Sequence, residues 1–474
     1  MKSDKFYING QWVSPESEQK LQVINPATES EAGTVFAAGA ADVDKAVSAA
    51  KSAAETWAAT PLSERCAALG AMSKGLAEHA DELARTITDE MGMPANICRG
   101  YQVEPPAMVI DNFVEIAQEF SFVTRNQTSV NLLEPVGVCA LITPWNFPLT
   151  QSMLKLAPAL AAGCTVVWKP SEETPLSATI FAEIVHQAGL PAGVFNMIHG
   201  EGSVAGDALA AHPSVRKVSL TGSTRAGISV ATRAAESLKR VTLELGGKSA
   251  NIICDDADLE AVVPAGVNKC FSNSGQACDA PSRMLVHRSQ YDKALELAVA
   301  AAESLQVGDP CDSDTDLGPL VNEAQFRRVN DLIETGLREG ARLLTGGPGR
   351  PDTLTTGYYA KPTVFADVAN SMEIARQEIF GPVLCIIPYE NDEEAIQIAN
   401  DSPYGLAAYI STADDARAGR IAKRLQAGQV RINQAPFDIT APFGGYKMSG
   451  YGRELGDAGL SEYLEIKACM GLSI

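Results

Sequence analysis

The chain has 474 residues, of which 46% are hydrophobic and 20% charged, and its 38 basic against 58 acidic side chains give a formal net charge of −20. This length predicts two large folded domains, and the negative field opposes binding to nucleic acid and to anionic membrane surfaces. No apolar stretch is long enough for a membrane span and the amino terminus lacks a secretory pattern, so we expect a cytoplasmic protein.

The amino-terminal part of the chain is rich in alanine and predicts long helices. This region runs from Asp42 to about Met91 and is interrupted at Thr60-Pro61-Leu62-Ser63, where Ser63 is placed to cap the second helix. A polar, strand-like segment between Glu115 and Pro135 then interrupts the chain. Excursions of this kind often serve assembly.

Short β-branched runs then alternate with helical stretches, which predicts a parallel α/β sheet. We expect its strands at 136–143, 165–168, 194–199, 215–220 and 241–245. A second series predicts another α/β domain, with strands at 249–254, 283–287 and 383–388 and helices that begin near Tyr291, Asn322 and Glu393.

Two of the predicted strands end in polar residues that suit a ligand. LITPWNFPLT places Asn146 among bulky apolar neighbours, where its amide either makes a structural hydrogen bond or donates to a developing oxyanion. VVWKPSEETP places Lys169 and Glu172 at the carboxyl end of a strand, where open α/β sheets bind ligands. These two could hold ribose hydroxyls while Glu172 repels the extra phosphate of NADP, or the segment is a plain capping turn at Ser171.

The run KVSLTGSTRAG predicts a strand, a turn at Thr221 and Gly222, and a helix that starts near Ser223 or Thr224. A helix amino terminus offers unpaired N–H groups and a partial positive charge, so a pyrophosphate could bind there, although an N-capped turn fits the same letters. The G-x-G-x-x-G fingerprint of a standard Rossmann fold is absent.

LELGGKSA places Glu244 at a strand end before two glycines, as a base or a turn cap. NSGQACDAPSR holds Cys278, one of ten cysteines that show no C-x-x-C pair, which predicts reduced thiols and no metal site. Free cysteine is usually a buried, inert residue, and the local sequence alone leaves both a nucleophile and a small buried side chain open for Cys278.

In order along the chain, these stretches resemble the NAD(P)-dependent aldehyde dehydrogenase superfamily over essentially the whole length. The shared motifs are PWNFP, KPSE, TGST, ELGGK, the GQ-x-C that ends at Cys278, EIFGP and PFGGYKMSGYGRELG. The resemblance implies that the Cys278 thiolate attacks an aldehyde, that Asn146 and the Cys278 N–H hold the oxyanion, and that Glu244 activates water for hydrolysis of the thioester. Glu454 is a candidate second carboxylate in a proton path.

The resemblance also implies a cofactor site and a domain arrangement. The cofactor is expected to be NAD rather than NADP, bound by Thr143, Trp145, Lys169, Glu172, Gly222, Ser223, Leu245, Glu378 and Phe380. The implied fold has two parallel-sheet α/β domains, a Rossmann-like NAD-binding domain at 1–115 and 137–245 and a catalytic domain at 246–445. A β-strand bridging element at 116–136 and 462–474 would join subunits into a homodimer or homotetramer.

The substrate is expected to be a small-molecule aldehyde that lies against Phe147, Gln151 and Leu154 on one helical face, with Phe437 opposite; core packing is the alternative for the apolar residues. Asp279 departs from the small or hydroxyl residue common after the nucleophile. An adjacent carboxylate disfavours an anionic aldehyde, so we hypothesise a neutral or amine-bearing substrate, unless this side chain only caps a neighbouring turn.

Three rival functions are less consistent with the motifs. A CoA-acylating relative would not need Glu244 for hydrolysis, and a non-catalytic dinucleotide-binding or structural protein on this scaffold would be expected to lose Cys278 or Glu244. A cofactor-independent cysteine hydrolase would not need KPSE or EIFGP.

Overall fold

The computed structural model describes residues 2–472. The strands are β1 (Phe6–Ile8), β2 (Gln11–Val13), β3 (Lys20–Ile24), β4 (Glu31–Phe36), β5 (Val123–Arg125), β6 (Ser129–Pro135), β7 (Val138–Ile142), β8 (Thr165–Lys169), β9 (Phe195–Met197), β10 (Lys217–Thr221), β11 (Arg240–Glu244), β12 (Ala250–Ile253), β13 (Arg283–His287), β14 (Arg342–Thr345), β15 (Thr363–Ala366), β16 (Val383–Tyr389), β17 (Ala407–Ser411), β18 (Gln429–Ile432), β19 (Gly450–Tyr451) and β20 (Leu464–Met470).

The helices are α1 (Ala40–Ala59), α2 (Leu62–Glu78), α3 (Ala80–Met91), α4 (Ala95–Cys98), α5 (Glu104–Glu119), α6 (Pro148–Ala162), α7 (Pro175–Ala188), α8 (Asp207–Ala211), α9 (Thr224–Ala235), α10 (Leu259–Phe271), α11 (Tyr291–Ser304), α12 (Glu323–Arg338), α13 (Glu373–Arg376), α14 (Asp392–Asn400), α15 (Asp415–Ala422) and α16 (Gly456–Ser461). Within residues 2–472, none of these helices has both the length and the hydrophobicity that crossing a lipid bilayer requires.

The first sheet has eight strands in the order β19-β11-β10-β7-β8-β9-β1-β2. Its centre is parallel from β11 to β9, and the strands added at the edges are antiparallel. Strands β7, β8 and β10 are buried along their whole length, as expected for hydrophobic runs covered by helices on both faces. The parallel α/β fold predicted from the sequence is therefore confirmed.

The second sheet has seven strands in the order β14-β15-β16-β13-β12-β17-β18, all parallel except the β14 edge. It contains the three strands predicted for a second α/β unit. Helices α11, α12 and α14 begin at Tyr291, Glu323 and Asp392, within one residue of the predicted starts. The domain boundaries given above stay predictions.

The segment between the helical region and β7 forms a separate three-stranded antiparallel sheet, β20-β6-β5, which we call the bridging sheet. Helix α5 continues to Glu119, however, so the first strand of the bridging sheet starts only at Val123 rather than near 116. Of the predicted carboxyl-terminal element, residues 473–474 lie outside the described residues.

The amino-terminal helical region contains three helices where two were expected. His79 alone separates α2 from α3, and its backbone (φ −100°, ψ 14°) breaks the helical path. Ser63 lies inside the first turn of α2, so the predicted cap is wrong: the helix begins at Leu62, two residues earlier than a cap at Ser63 requires, and the extended backbone of Pro61 precedes it. Proline fits here because a helix's first turn has no internal partner for its N–H groups.

Candidate active site

The polar residues singled out in the sequence lie at the carboxyl ends of neighbouring parallel strands of the first sheet. Strand β8 ends at Lys169, β10 at Thr221 and β11 at Glu244, and Thr221 pairs directly with Glu244. Because parallel strands all end on one side, this edge brings distant parts of the chain together in the place where open α/β sheets bind ligands.

Cys278 lies in a strained loop between α10 and β13. Asn273, Ser274 and Gly275 all have positive φ (53°, 55° and 75°), and an added Cβ on Gly275 would collide with the Gly381 carbonyl. The buried Gln276 side chain fixes the loop, since its Oε1 accepts from the Val321 N–H at 2.9 Å and its Nε2 donates to the Asn273 carbonyl at 3.1 Å. Strain held by such contacts is typical of a functional loop.

Asn146 is held beside this loop by both its backbone and its side chain. Its carbonyl accepts hydrogen bonds from Gln102 Nε2 and Asn273 Nδ2, each at 3.0 Å, and its own Nδ2 donates to the Gln276 carbonyl at 3.0 Å. A side-chain amide has two N–H donors, so one remains available close to Cys278.

The surroundings of Cys278 disfavour its ionised form. Burial is the largest cause, and the carboxylates of Asp279, Glu378 and Glu244 add to it, so the pKa of the thiol is raised well above its usual range. A thiol in these surroundings needs a base or an added positive charge to become nucleophilic.

Glu244 is 2% exposed, and neither of its carboxyl oxygens has a hydrogen-bond partner among the described residues. Burial, followed by the nearby Glu454 carboxylate, raises its pKa well above the ordinary value. Glu454 is ion-paired with the fully buried Lys155, whose Nζ also donates to Thr221 Oγ1 at 2.7 Å. Glu244, Glu454 and Lys155 therefore form one buried group of charged side chains.

A cavity of about 520 Å³ opens beside these residues and contains Asn146, Glu244 and Cys278 in its wall. Predicted cofactor residues also line it: Trp145, Gly222, Ser223, Leu245, Glu378 and Phe380. Ser223 is the N-cap of α9, and its hydroxyl accepts from the Ala226 N–H at 3.2 Å. The cavity thus joins a helix amino terminus, suited to a phosphate, to a cysteine and a carboxyl group.

The segment Glu378–Phe380 closes one side of this cavity and is held from α12. Gln325 Nε2 donates to the Phe380 carbonyl at 2.8 Å, and Arg328 donates to the Glu378 carbonyl at 2.7 Å. Glu378 Oε1 accepts from the Gly247 N–H at 3.0 Å, while burial raises the pKa of this carboxyl to about 7. The Phe380 ring stands edge-on to Trp145, with centroids 5.3 Å apart.

Lys169 and Glu172 lie away from that cavity. Lys169 Nζ donates to Glu172 Oε2 at 3.0 Å and to the carbonyls of Pro170 and Gly200 at 2.8 and 2.7 Å. Glu172, Glu173 and Glu201 line a second cavity of about 610 Å³. Three carboxylates there repel an additional phosphate.

Thr143, also predicted to contact the cofactor, is not among the residues that line either cavity. Its buried hydroxyl accepts from Trp168 Nε1 at 2.9 Å and from Ser152 Oγ at 3.2 Å. The Thr143 side chain is therefore occupied within the protein, and its hydroxyl connects β7 to β8 and α6.

None of the predicted substrate residues Phe147, Gln151, Leu154, Asp279 and Phe437 is among the described residues that line the cavity at Cys278. Phe147 directly precedes α6 and packs with Cys278 against the core that contains Leu154. Gln151 is buried on the same helix, and its Oε1 lacks a hydrogen-bond partner among the described residues. Phe437 is 42% exposed and contacts the Phe443 ring at 6.0 Å between centroids.

The Asp279 side chain neither stands alone nor caps a turn. Its Oδ2 lies 3.1 Å from Arg431, 3.3 Å from Lys269 and 3.1 Å from the Tyr409 hydroxyl. Burial opposes ionisation of this carboxyl, but Lys269 and Arg431 outweigh it and lower its pKa. The unpaired negative charge from which a neutral or amine-bearing substrate was inferred is therefore not present.

Several residues at the site escaped sequence reasoning, among them Lys155, Gln325, Arg328, Lys269 and Arg431. Gln325 and Arg328 lie on the helix predicted to begin near Asn322, whereas α10 and β18, which carry Lys269 and Arg431, were not predicted. A lysine inside an otherwise apolar helix, as Lys155 is in MLKLAPAL, was the one local signal that a buried partner must exist.

Comparisons with known proteins agree with this geometry. Residues 12–469 match the aldehyde dehydrogenase family. A 3-succinoylsemialdehyde-pyridine dehydrogenase from a Pseudomonas species is 50% identical over 470 residues, 98% of each chain.

Solved structures are similar over nearly the same length. Aldehyde dehydrogenase C of Pseudomonas syringae, solved as a mutant with NAD+ and octanal, shares 48% identity with a TM-score of 0.99, covering 100% of this chain and 97% of that one. An aldehyde dehydrogenase of Mycobacterium tuberculosis in complex with NAD+ shares 42% identity with a TM-score of 0.97, covering 99% of both chains. The chain belongs to the aldehyde dehydrogenase family.

Proposed function

We propose that this protein oxidises an aldehyde to the carboxylic acid with NAD as the hydride acceptor. The observation that carries the proposal is the single cavity whose wall contains Cys278, Asn146 and Glu244 together with the amino terminus of α9. A nucleophile, an amide donor and a carboxyl group beside a phosphate-binding helix end are the parts that this reaction needs. The NAD+ complexes of two similar aldehyde dehydrogenases support the choice of cofactor.

The residues present fit NAD. Ser223 and the first turn of α9 would hold the pyrophosphate, and Glu378 with Phe380 would bracket the nicotinamide end. A Cβ on Gly246 would strike the Glu378 carboxylate, so glycine keeps this wall open. Glu172 would hold the adenosine ribose, with Lys169 positioning its carboxylate, and the carboxylates around Glu172 favour NAD over NADP.

Cys278 would form the covalent intermediate. Its sulfur adds to the aldehyde carbon, and the oxyanion of the resulting thiohemiacetal accepts from the free N–H of Asn146 and from the Cys278 backbone N–H. Bound NAD would supply the hydride acceptor for that carbon. A thioester on Cys278 remains.

Glu244 would complete the cycle as the base that activates water. The water adds to the thioester carbonyl, the carbon–sulfur bond breaks, and the thiol takes back a proton as the acid leaves. Over the whole cycle one proton goes to solvent. Glu454, adjacent to Glu244 and ion-paired with Lys155, is placed to pass it on.

The first experiment measures NADH absorbance with NAD and a panel of aliphatic, aromatic, amino- and carboxy-aldehydes, for the native chain and for Cys278→Ala. We expect NADH formation that disappears in the variant. Turnover that persists without the thiol would contradict the mechanism. A strict requirement for CoA would favour the acylating alternative, and NAD binding without any turnover would favour a structural protein.

We also propose a cytoplasmic homodimer or homotetramer. All ten cysteines are free thiols, which suits a reducing compartment. The bridging sheet ends in two open edge strands, β20 and β5, which expose Ile466, Met470 and Val123. Light scattering after gel filtration is expected to show an oligomer that Ile466→Lys dissociates, and an unchanged mass for this variant would place the interface elsewhere.

A further inference from the structure

A further cavity, of about 260 Å³, lies between α10, strand β17 and the segment that follows β18. Its polar lining includes Lys269, Arg431, Asn251 and Gln434. No acidic residue is among the described residues that line it. In a chain with a net charge of −20, this wall carries two cations and no carboxylate.

The two cations exceed the negative charge beside them. Asp279 is the carboxylate within 4 Å of either, at 3.1 Å from Arg431 and 3.3 Å from Lys269, so the group keeps one positive charge in excess. Arg431 is fixed in place, because its guanidinium also stacks 5.6 Å from the Tyr409 ring centroid and 5.1 Å from that of Phe437.

Hydrogen-bond donors remain free at this cavity. Arg431 donates through Nη2 alone, to Asp279 and to Gln429, so Nε and Nη1 have no protein acceptor among residues 2–472. The Asn251 amide, only 5% exposed, likewise makes no hydrogen bond to the described residues, although it lines the cavity. A ligand with acceptor oxygens can pair with these donors.

This cavity adjoins the catalytic residues. Asp279, which both cations contact, follows Cys278 in the chain, and consecutive Cα atoms are about 3.8 Å apart. From the other side, the segment after Arg431 runs past Phe437 and Phe443 to Gly444, where an added Cβ would lie 2.6 Å from Glu244 Oε1. Lys269 lies close enough to Cys278 for its charge to lower the pKa of that thiol, and Asp279 links both cations to the residue directly after the nucleophile.

We propose that Lys269, Arg431 and Asn251 bind the distal carboxylate of an ω-carboxy aldehyde, so that this enzyme prefers semialdehyde acids to neutral aldehydes of equal length. The assignment rests on the proposed aldehyde oxidation. Arg431 and Lys269 supply charge-assisted hydrogen bonds to the carboxylate, and Asn251 supplies a neutral one. Asp279 is a positioning residue that orients both cations and limits their excess charge.

The test compares KM for succinic, glutaric and adipic semialdehydes with KM for butanal, pentanal and hexanal. We expect a lower KM for the acid at one or more chain lengths. Lys269→Gln should raise that KM about fivefold relative to the KM of the neutral aldehyde, the value of one partly exposed ion pair. Lys269 is 37% exposed, so the substitution should not disturb folding.

Lys293→Gln is the matched control, since this lysine is 51% exposed on α11 and pairs with Glu260 away from the cavity. Equal KM values for acids and neutral aldehydes, or an equal effect of Lys269→Gln on both, would overturn the proposal. The carboxylate bound in this cavity can belong to a semialdehyde substrate or to a free dicarboxylic acid. A calorimetric titration with glutarate distinguishes these two sources. Glutarate binding weakened by Lys269→Gln, without any advantage for semialdehydes, would assign the cavity to a free acid and refute the substrate assignment.

If no aldehyde reduces NAD, the proposed function is wrong, but the glutarate titration still tests whether the cavity binds a carboxylate. Glutarate binding that is weakened by Lys269→Gln would then show a carboxylate site in a protein of different activity. An absence of glutarate binding would remove the site as well.

Discussion

Replacing the buried Lys155 with methionine is expected to destabilise the protein strongly. Lys155 is fully buried and Glu454 is 3% exposed, so their ion pair is shielded from water. Methionine keeps most of the side-chain volume but removes the positive charge. Glu454 is then buried beside Glu244 without a neutralising cation. Breaking a buried pair from one side costs about 3 to 5 kcal/mol in the free energy of unfolding.

The assay is urea unfolding followed by fluorescence at pH 7 and again at lower pH. The deficit of Lys155→Met should shrink as pH falls, because Lys155 stabilises the ionised form of Glu244 and this contribution ends once Glu244, whose pKa burial raises, is protonated. The double variant Lys155→Met with Glu454→Gln should recover much of the loss, since the uncompensated charge is removed. Lys467→Met is the control, because Lys467 and Glu134 are 56% and 43% exposed and such pairs contribute at most about 1 kcal/mol.

Two outcomes would refute this reasoning. Equal unfolding free energies for Lys155→Met and Lys467→Met would mean that the buried pair is not under the expected electrostatic constraint. A double variant as unstable as the single one would attribute the loss to packing around Lys155 rather than to the charge of Glu454.

Three further predictions follow from the site. Glu244→Gln should give a burst of about one NADH per chain and then slow turnover in stopped-flow traces, as hydrolysis becomes limiting. Because burial raises the Glu244 pKa, the hydrolysis step of the native enzyme should become faster with pH as this acid ionises, and a slow phase of Glu244→Gln that keeps this pH dependence would reject Glu244 as the base. Gly275→Ala, with φ +75° and the Gly381 carbonyl in the way, should cost at least about 2 kcal/mol, whereas Gly340→Ala, with φ +86° and open space, should cost about 1 kcal/mol; equal melting temperatures would contradict this. Glu172→Gln should raise kcat/KM with NADP relative to NAD at least about fivefold, and an unchanged ratio would show that this carboxylate does not set the preference.

The sequence by itself determined the α/β class and the positions of most elements. Hydrophobic runs such as those of β7, β8 and β10 predict buried parallel strands, and turn residues at 221–223 predict the start of α9, because these signals act within a few residues of one another. The motifs around Asn146, Glu244 and Cys278 identified the parts of the site before any geometry was known.

Errors arose where a single residue decides a boundary. His79 separates two helices by its backbone conformation alone, and Pro61 rather than Ser63 determines where α2 begins. Helix ends depend on a few dihedral angles, which hydrophobic periodicity does not specify.

Tertiary structure alone decided which charges meet. Lys155 and Glu454 are 299 positions apart, and Asp279 meets Arg431 152 positions later, so no local pattern links the partners. The residues around Cys278 suggested an uncompensated acid, whereas the fold places two cations against that acid. Which charged side chains pair depends on where strands and helices end in space. The sequence gives the position of each charge along the chain but not the charges that will lie beside it.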